Sequence, residues 1–290
     1  MSVIPLLVAQ RGGSATRAEI LEATTPWALQ RALEEGVVVR HRRGVYGLPL
    51  DGDHHRAAEL GVHLSHRSAA LHHGLGVLHA PTRPEMVTRR DRGISTPEDV
   101  ALRFRPLTPD DLGVRVTTPL RTVVDCARDL DLPEALAVAD SALRSRLVSP
   151  RQLKDADLPR TGRAAARRVL DLASAKAVNP FESGLRGLAV QADDRGWVPQ
   201  VPITLRDGRT LHADVGDPVT RVALEADNHE FHKKREDVRR DCWRYDEMIL
   251  AGWVVLRFAW EHVMFKPDWV REVIAWVVRQ RMSSCSSLIA

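Results

Sequence analysis

HADVGDPVTRVALEADNHEFHKKREDVRRD, residues 212–241, places acidic side chains in segments whose neighbours are typical of buried strands. Successive side chains of a strand point to opposite faces, so Glu225 and Asp227 share one face. Asp214 lies on the strand-like segment before them. Ionised carboxylates this close repel each other, and one would take up a proton unless a cation lay between them. The stretch therefore predicts a divalent-metal site formed by Asp214, Glu225 and Asp227.

The residues that follow suggest how such a site would act on a phosphodiester. Oxygen ligands favour Mg²⁺, with Mn²⁺ as an alternative, while the imidazoles of His229 and His232 leave Zn²⁺ open. We predict proton transfer by His232 or His229. Basic side chains follow that could contact phosphates of the strand being cut, namely Lys233, Lys234, Arg239 and Arg240. The alternative for these basic residues is a solvated helix face.

The segments around this stretch predict an α/β domain over residues 176–282. Asn179-Pro180 is a helix-start signal, and Glu182 in the first turn either stabilises the helix dipole or approaches the metal. A hairpin is predicted at Asp207-Gly208, a buried strand at GWVVLRFAW, a helix from about Lys234 to Leu250, and a last helix from Pro267 to Arg281. Residues 283–290 are predicted to be a disordered tail.

Residues 1–50 carry the pattern of a winged helix-turn-helix. A first helix is capped by Ser14 or Thr16, and a second begins at Thr25-Pro26 and stops at Gly36. VVVRHRRGVYGLP then predicts two short strands with a basic tip. The predicted DNA contacts are Gln30 and Arg31 on the second helix and Arg40, His41, Arg42 and Arg43 on the hairpin. The alternative is a small solvated helical domain whose basic turn has no partner.

Residues 51–175 predict a helical and mixed middle domain, in which Gln152–Lys176 forms an exposed helical link. The whole chain is thus expected to be mixed α+β. Its 290 residues carry forty-two Lys and Arg, a net charge of +4 and a pI near 9.2, which favours polyanionic partners. Three scattered cysteines and the lack of a signal peptide or an apolar run of membrane length predict a cytoplasmic protein without a membrane partner.

The order of predicted elements resembles the core of the PD-(D/E)XK nuclease superfamily. Within it, the chain is most similar to the very-short-patch-repair-type endonucleases, through Asp214, the pair Glu225 and Asp227 in LEADNHEFH, and Arg240-Asp241 followed by LAGWVVLRF. The amino-terminal and middle segments resemble AbiEi-type antitoxins, which are transcription regulators.

The resemblance implies that Asp214 and Glu225 are the first and second metal carboxylates. Asp227 occupies the position where the superfamily usually has Lys, a residue that would orient the attacking water. His232 would then perform the proton transfer, and Asn228 stands where Gly is usual.

Two functions follow as expectations. The first is a Mg²⁺-dependent DNA endonuclease positioned on DNA by its winged helix, with RNA as an alternative substrate. Cutting both strands would require two sites, and hence a homodimer or two binding events. The second is a catalytically inactive DNA-binding regulator of the AbiEi type, whose partner would be a cognate toxin.

Overall fold

The fold is mixed α/β, as predicted, with helices packed on antiparallel and mixed sheets. The structure is a computed structural model and describes residues 3–10, 14–47, 52–227 and 235–286. The chain divides into two compact units. The first comprises Met1–Gly74 and Ala80–Cys126, and the second comprises Leu75–His79 and Ala127–Ala290.

The first unit begins with a three-stranded antiparallel sheet and three helices. The elements are α1 Val3–Gln10, β1 Ser14–Thr16, α2 Arg17–Ala23, α3 Pro26–Glu34, β2 Val39–Arg42 and β3 Val45–Gly47, with strand order β1-β3-β2. The predicted helix starts are confirmed, because the side chains of Thr16 and Thr25 accept hydrogen bonds from the backbone at the starts of α2 and α3. Gly36, at φ +67°, follows the end of α3 as predicted. Helix α1 and strand β1 were not anticipated.

The rest of the first unit is a second small sheet flanked by helices. Its elements are α4 Gly52–Leu60, β4 His63–Leu64, α5 His66–His72, β5 Glu85–Thr88, β6 Ala101–Phe104, a 3₁₀ turn Pro109–Asp111, and α6 Pro119–Asp129, whose last three residues belong to the second unit. Strand β5 pairs antiparallel with β4 and parallel with β6. Two separate apolar clusters form the cores of this unit.

The second unit opens with four helices: α7 Leu132–Arg144, α8 Pro150–Lys154, α9 Arg163–Leu172 and α10 Pro180–Ala192. Arg186 of α10 is buried and donates two hydrogen bonds to Asp140 of α7, at 3.0 and 2.9 Å, which fixes these helices against each other. The prediction of an exposed link over Gln152–Lys176 is wrong. Helix α9 buries Ala166, Val169 and Leu170, and three apolar side chains on one face suffice to pack a short helix.

A four-stranded sheet completes the second unit. Its elements are β7 Val198–Thr204, β8 Thr210–Asp217, β9 Val222–Asp227, α11 Arg235–Leu250, β10 Val254–Ala259, α12 Trp260–Phe265 and α13 Pro267–Ser286. The strand order is β10-β9-β8-β7, with β10 parallel to β9 and the other pairs antiparallel. Leu224 of β9 joins an apolar cluster with α10 and α13, while its neighbour Ala223 joins another with Met248 of α11. Helices therefore cover both faces of the sheet.

Several local predictions for this unit are confirmed, and two are corrected. Asn179 caps α10, Gly208 forms the hairpin turn at φ +83°, and α11 ends at Leu250. Strand β10 is not fully buried as predicted, because it is the edge strand and only Phe258 is completely covered. The predicted disordered tail is corrected for 283–286, which continue α13, whereas 287–290 lie outside the described residues.

The division into two units differs from the three predicted segments, 1–50, 51–175 and 176–282. Helices α7 to α9 group with the carboxy-terminal sheet because α7 packs along α10. The predicted boundary near residue 175 consequently falls inside a compact unit. Within the described ranges, none of the helices combines the length and the apolar character that a membrane span requires.

Candidate functional site

The acidic residues singled out by the sequence meet where β8 and β9 run side by side. Val215 of β8 pairs with Leu224 of β9, so Asp214 and Glu225, the next residues outward, lie opposite each other. The backbone N–H of Ala226 donates a hydrogen bond of 2.9 Å to Asp214 Oδ2. The carboxylate of Asp214 thus accepts this N–H of β9 in place of a backbone carbonyl of the neighbouring strand.

Glu225 is the most perturbed carboxylate of this group. It is only 3% exposed, and its Oε1 is buried without a hydrogen-bond partner. Burial raises the pKa of Glu225 to about 7, and the negative charge of Asp214 contributes in the same direction. Arg244 opposes these effects without cancelling them. At neutral pH Glu225 therefore exists in both protonation states.

Asp214 and Glu182 have pKa values shifted in the same direction. Burial is the main cause for both, and the charge of Asp214 further raises the pKa of Glu182. Asp214 is therefore close enough to influence both Glu182 on α10 and Glu225 on β9. Such a group favours either protonation or a bound cation.

Glu182 is held by the start of α10. Its Oε2 accepts a hydrogen bond from Val178 N at 2.9 Å, and its Oε1 accepts one from Asn179 Nδ2 at 2.9 Å. Gln200 Nε2 donates another to Oε2 at 3.0 Å. Both roles predicted for Glu182 remain compatible with this geometry, since it stabilises the helix start and also lies near Asp214.

Arg244 of α11 enters the acidic group from the opposite side. Its Nη1 donates to Glu225 Oε2, and its Nη2 donates to the backbone carbonyl of His212. The side chain is about one quarter exposed, so it lies at the border between the buried carboxylates and solvent. One positive charge is thus placed directly beside Glu225.

Asp227 pairs with a different arginine, Arg257. Arg257 of β10 donates to Asp227 Oδ2, and the Arg257 guanidinium lies 4.3 Å from the ring centre of Tyr245. The parallel pairing of β10 with β9 places Arg257 opposite Glu225 in the register, next to the strand end that bears Asp227. Asp227 therefore lies at the edge of the acidic group, paired with arginine.

The predicted metal ligands fit a divalent cation in part. In the part of the chain that the structure describes, no group of three or more His, Cys, Asp or Glu side chains is arranged to hold a metal ion. Asp214 and Glu225 nevertheless offer hard oxygen donors, one of them buried and unpartnered. Mg²⁺ is commonly bound by one or two carboxylates together with water and phosphate oxygens. Two carboxylates thus fit Mg²⁺ or Mn²⁺, and the fit does not need Asp227.

The remaining predicted residues of the carboxy-terminal site fall into two groups. Arg239 and Arg240 lie exposed on α11. Four others, together with Asn228, lie outside the described residues: His229, His232, Lys233 and Lys234.

The predicted DNA contacts of the first unit lie on α3 and the β2–β3 hairpin. Gln30 donates to Glu34 at 3.0 Å, and Arg31 donates to Glu35 at 2.8 Å, both on the exposed face of α3. Arg40 and Arg43 are exposed on the hairpin. Arg42 is the last residue of β2. The side chains of His41 and Arg42 are not among those that the structure describes.

Sequence reasoning missed three residues that complete the acidic group: Gln200, Arg244 and Arg257. The sequence does mark Arg257, since it is the only charged residue in the apolar strand VVLRFA. Arg244 is one of many charged residues on α11, and Gln200 lies in a strand whose pattern is unremarkable for a half-buried edge. Their roles follow only from the pairing of distant segments.

Comparison with known proteins gives relatives but no function. No protein-family profile matches the sequence. Two curated relatives, uncharacterized proteins Rv2248 and MT2308 from two strains of Mycobacterium tuberculosis, are each 31% identical over 160 residues. The match covers 53% of this chain and 58% of each relative, so the chain spans little more than half their length. The crystal structure of the RV2827C protein from Mycobacterium tuberculosis aligns with a TM-score of 0.30 and 17% identity, over 69% of this chain and 83% of that chain.

Proposed function

We propose that this protein is a Mg²⁺-dependent nuclease that hydrolyses phosphodiester bonds of DNA. The observation that carries the proposal is the pair Asp214 and Glu225 on neighbouring strands, the first half-buried and the second buried, with Glu225 Oε1 lacking a partner. A fold that only needed stability would gain little from these groups, because burying two neighbouring carboxylates that one arginine compensates only in part is costly. Strongly perturbed carboxylates are more common at functional sites.

Asp214 and Glu225 would hold the cation, and Mn²⁺ would serve as a substitute. Bound there, the cation would lower the pKa of a water molecule and offset charge on the phosphate. Ala226 N fixes one oxygen of Asp214, so this carboxylate is oriented before any ligand arrives. The predicted third ligand, Asp227, is instead engaged by Arg257 in the proposed site.

The two arginines would supply the positive charge that the missing superfamily lysine normally provides. Arg244 contacts Glu225 and is partly exposed, which leaves it within reach of a phosphate at the rim of the acidic group. Guanidinium groups bind phosphate oxygens in a planar, two-point geometry. Arg257, 43% exposed beside Asp227, would contact a neighbouring phosphate. His232 stays a prediction for proton transfer.

The amino-terminal elements support the proposal that the protein binds duplex DNA. Helix, strand, two helices and a two-stranded hairpin follow in the order expected for a winged helix, with α3 as the helix that enters the major groove. The pairs that Gln30 and Arg31 form with glutamates are exposed and weak, so both side chains can turn to DNA. A cytoplasmic location stays a prediction.

A cleavage assay tests the nuclease. Wild type, Asp214→Ala and Glu225→Ala are incubated with supercoiled, linear and single-stranded DNA and with RNA, in Mg²⁺ or Mn²⁺. We expect metal-dependent cutting by wild type and by Glu261→Ala, a control at an exposed site on α12, and at least about 100-fold slower cutting by both site variants. Absence of cutting with every substrate and metal, or equal cutting by Asp214→Ala, would refute the proposal.

A second function is favoured by one observation, namely that arginines already neutralise Glu225 and Asp227. A fold with these ion pairs could serve as an inactive scaffold in a DNA-binding regulator of the antitoxin type, with a cognate toxin as partner. Duplex binding without cleavage would support this alternative.

For either function, Arg40→Glu with Arg43→Glu should weaken duplex binding and reduce its salt dependence by about two counterions. Arg89→Glu, a charge reversal elsewhere in the chain, is the control and should leave both unchanged.

A further inference from the structure

We propose that Gln200 is a positioning residue of the acidic site, whose amide bridges Glu182 and Asp214 and sets the Asp214 carboxylate for a divalent cation. The inference rests on the proposed function as far as the cation is concerned. The bridge itself is a property of the protein alone. We call these three side chains, Glu182, Gln200 and Asp214, the amide bridge.

The backbone at Gln200 points to a role beyond sheet pairing. Its φ is +51°, in the left-handed region that glycine adopts readily and other residues avoid. Five non-glycine residues have positive φ within the described ranges, and Gln200 is the only one inside a strand. Pro199 and Val201 on either side keep their pairing with β8. The unfavourable conformation is therefore confined to the residue whose side chain enters the acidic group.

The side chain uses this orientation to join two carboxylates. Gln200 Nε2 donates to Glu182 Oε2 at 3.0 Å. The pairs Pro199–Val215 and Val201–Ala213 place Gln200 opposite Asp214 on β8, so Asp214 is the neighbouring acceptor for the second N–H of the amide. A hydrogen bond from Gln200 accordingly lowers the pKa of Asp214, against the larger effect of burial. A primary amide carries two N–H donors, which is the number that two acceptors require.

The amide bridge connects Asp214 to a rigid element. Glu182 is fixed by its hydrogen bonds from Val178 N and Asn179 Nδ2, and Glu182 N in turn donates to Asn179 Oδ1 at 2.9 Å. The start of α10 therefore fixes the orientation of the Glu182 side chain, and the hydrogen bond to Glu182 fixes that of Gln200. Since Ala226 N holds Asp214 Oδ2 from the other side, Asp214 is oriented by two different elements. Partners of this kind orient metal-binding carboxylates in proteins.

The neutrality of Gln200 matters as much as its donors. Glu225 and Asp227 each have an arginine, which removes net negative charge. A lysine or arginine at position 200 would also carry N–H donors for Glu182 and Asp214 but would offset one of their two negative charges. An amide holds Glu182 and Asp214 together without adding charge, which leaves Asp214 available to the cation that it would bind with Glu225. A neutral amide at this position is what the proposed cation site requires, since it adds no charge that would compete with the cation.

Cation binding tests the role of the bridge. Isothermal titration with Mn²⁺ at pH 8 is performed on wild type, Gln200→Gly and Gln200→Lys. Both variants should bind Mn²⁺ about 10- to 100-fold more weakly. Arg221→Gly, a change at a residue of similar φ, +53°, in the β8–β9 turn, should bind it as wild type does. Equal Mn²⁺ affinity of Gln200→Gly and wild type would overturn the positioning role.

A measurement without metal separates the bridge from the proposed nuclease function. In ¹⁵N-labelled protein, the side-chain amide protons of Gln200, assigned by their loss in Gln200→Gly, should exchange slowly with solvent. They should shift in both Glu182→Gln and Asp214→Asn. Fast exchange, or no shift in either variant, would overturn the bridge. If wild type binds no Mn²⁺, the proposed cation site fails, and the amide protons still decide whether Gln200 joins Glu182 to Asp214.

Discussion

Replacing Glu225 by glutamine should stabilise the protein in metal-free solution above neutral pH. The shift of the Glu225 pKa from 4.5 to about 7 means that the ionised form is disfavoured in the folded state by about 3 kcal/mol. This figure includes the attraction of Arg244, since that residue already lowers the pKa. Glutamine imitates the neutral acid in size and shape. Glu225→Gln should therefore gain up to about 3 kcal/mol in the free energy of unfolding at pH 8.

The difference in the free energy of unfolding between wild type and Glu225→Gln should depend on pH. Because the folded-state pKa is raised, the folded protein binds the proton more tightly than the unfolded chain does. The contribution of protonated Glu225 is fully present below pH 4.5 and is lost as the pH rises through about 7. Wild type should thus lose stability relative to Glu225→Gln across this window. At pH 4 the two proteins should be nearly equal.

Urea unfolding between pH 4 and pH 8, followed by tryptophan fluorescence, measures this difference. Six of the seven tryptophans lie in the second unit, so the signal reports mainly on the fold that contains Glu225. Glu272→Gln, at an exposed site on α13, is the control and should change the free energy by less than about 0.5 kcal/mol at every pH.

Mg²⁺ provides the second half of the test. At 100 times its dissociation constant, a ligand of the folded state stabilises by about 2.7 kcal/mol, so saturating Mg²⁺ should remove most of the deficit of wild type at pH 8. Glu225→Gln should respond much less. If the variant is no more stable than wild type at pH 8, or if the two pH profiles run parallel, the assigned environment of Glu225 is wrong.

Three further predictions concern the fold. Asp140→Ala should cost about 3–5 kcal/mol in urea unfolding because it leaves Arg186 buried without its counter-charge, and a cost below about 1 kcal/mol would contradict that account. Gly187→Ala should lower the melting temperature, at a cost of about 1–3 kcal/mol, because the new Cβ would lie 2.5 Å from a backbone atom of α7; Gly196→Ala, in open space, should not. Thr25→Ala should cost about 1 kcal/mol by circular-dichroism melting, since it removes the side-chain cap of α3, and an unchanged melt would refute that role.

Local chemistry explains which elements the sequence predicted well. Thr25-Pro26 and Asn179-Pro180 each combine a capping side chain with a proline suited to the first helical turn, so these helix starts needed no tertiary information. Asp207-Gly208 predicted its turn for the same reason, because glycine tolerates the positive φ there. Helix α1 and the packed helix α9 were missed because their burial depends on partners distant in sequence.

The acidic group was predicted in part. Asp214 and Glu225 lie on strands joined by a short turn, so alternation along the strands was enough to place them together. Glu182 was singled out for its position in a helix start, and the structure adds its proximity to Asp214. Asp227 was predicted to share the cation, but pairing with Arg257 separates it from that role in the proposed site.

The stretch 212–241 by itself determined that carboxylates would lie on adjacent strands, because side-chain alternation and a short connection are local properties. Only the tertiary structure decided which charges they meet. Arg244 comes from helix α11, and Arg257 comes from β10, the parallel strand that follows this helix in the chain. Gln200 comes from β7 and has a positive φ of its own. Parallel pairing and the approach of a helix to a sheet join residues whose separation in sequence carries no periodic signal. The sequence therefore determined the acids, and the fold determined how much of their charge is neutralised.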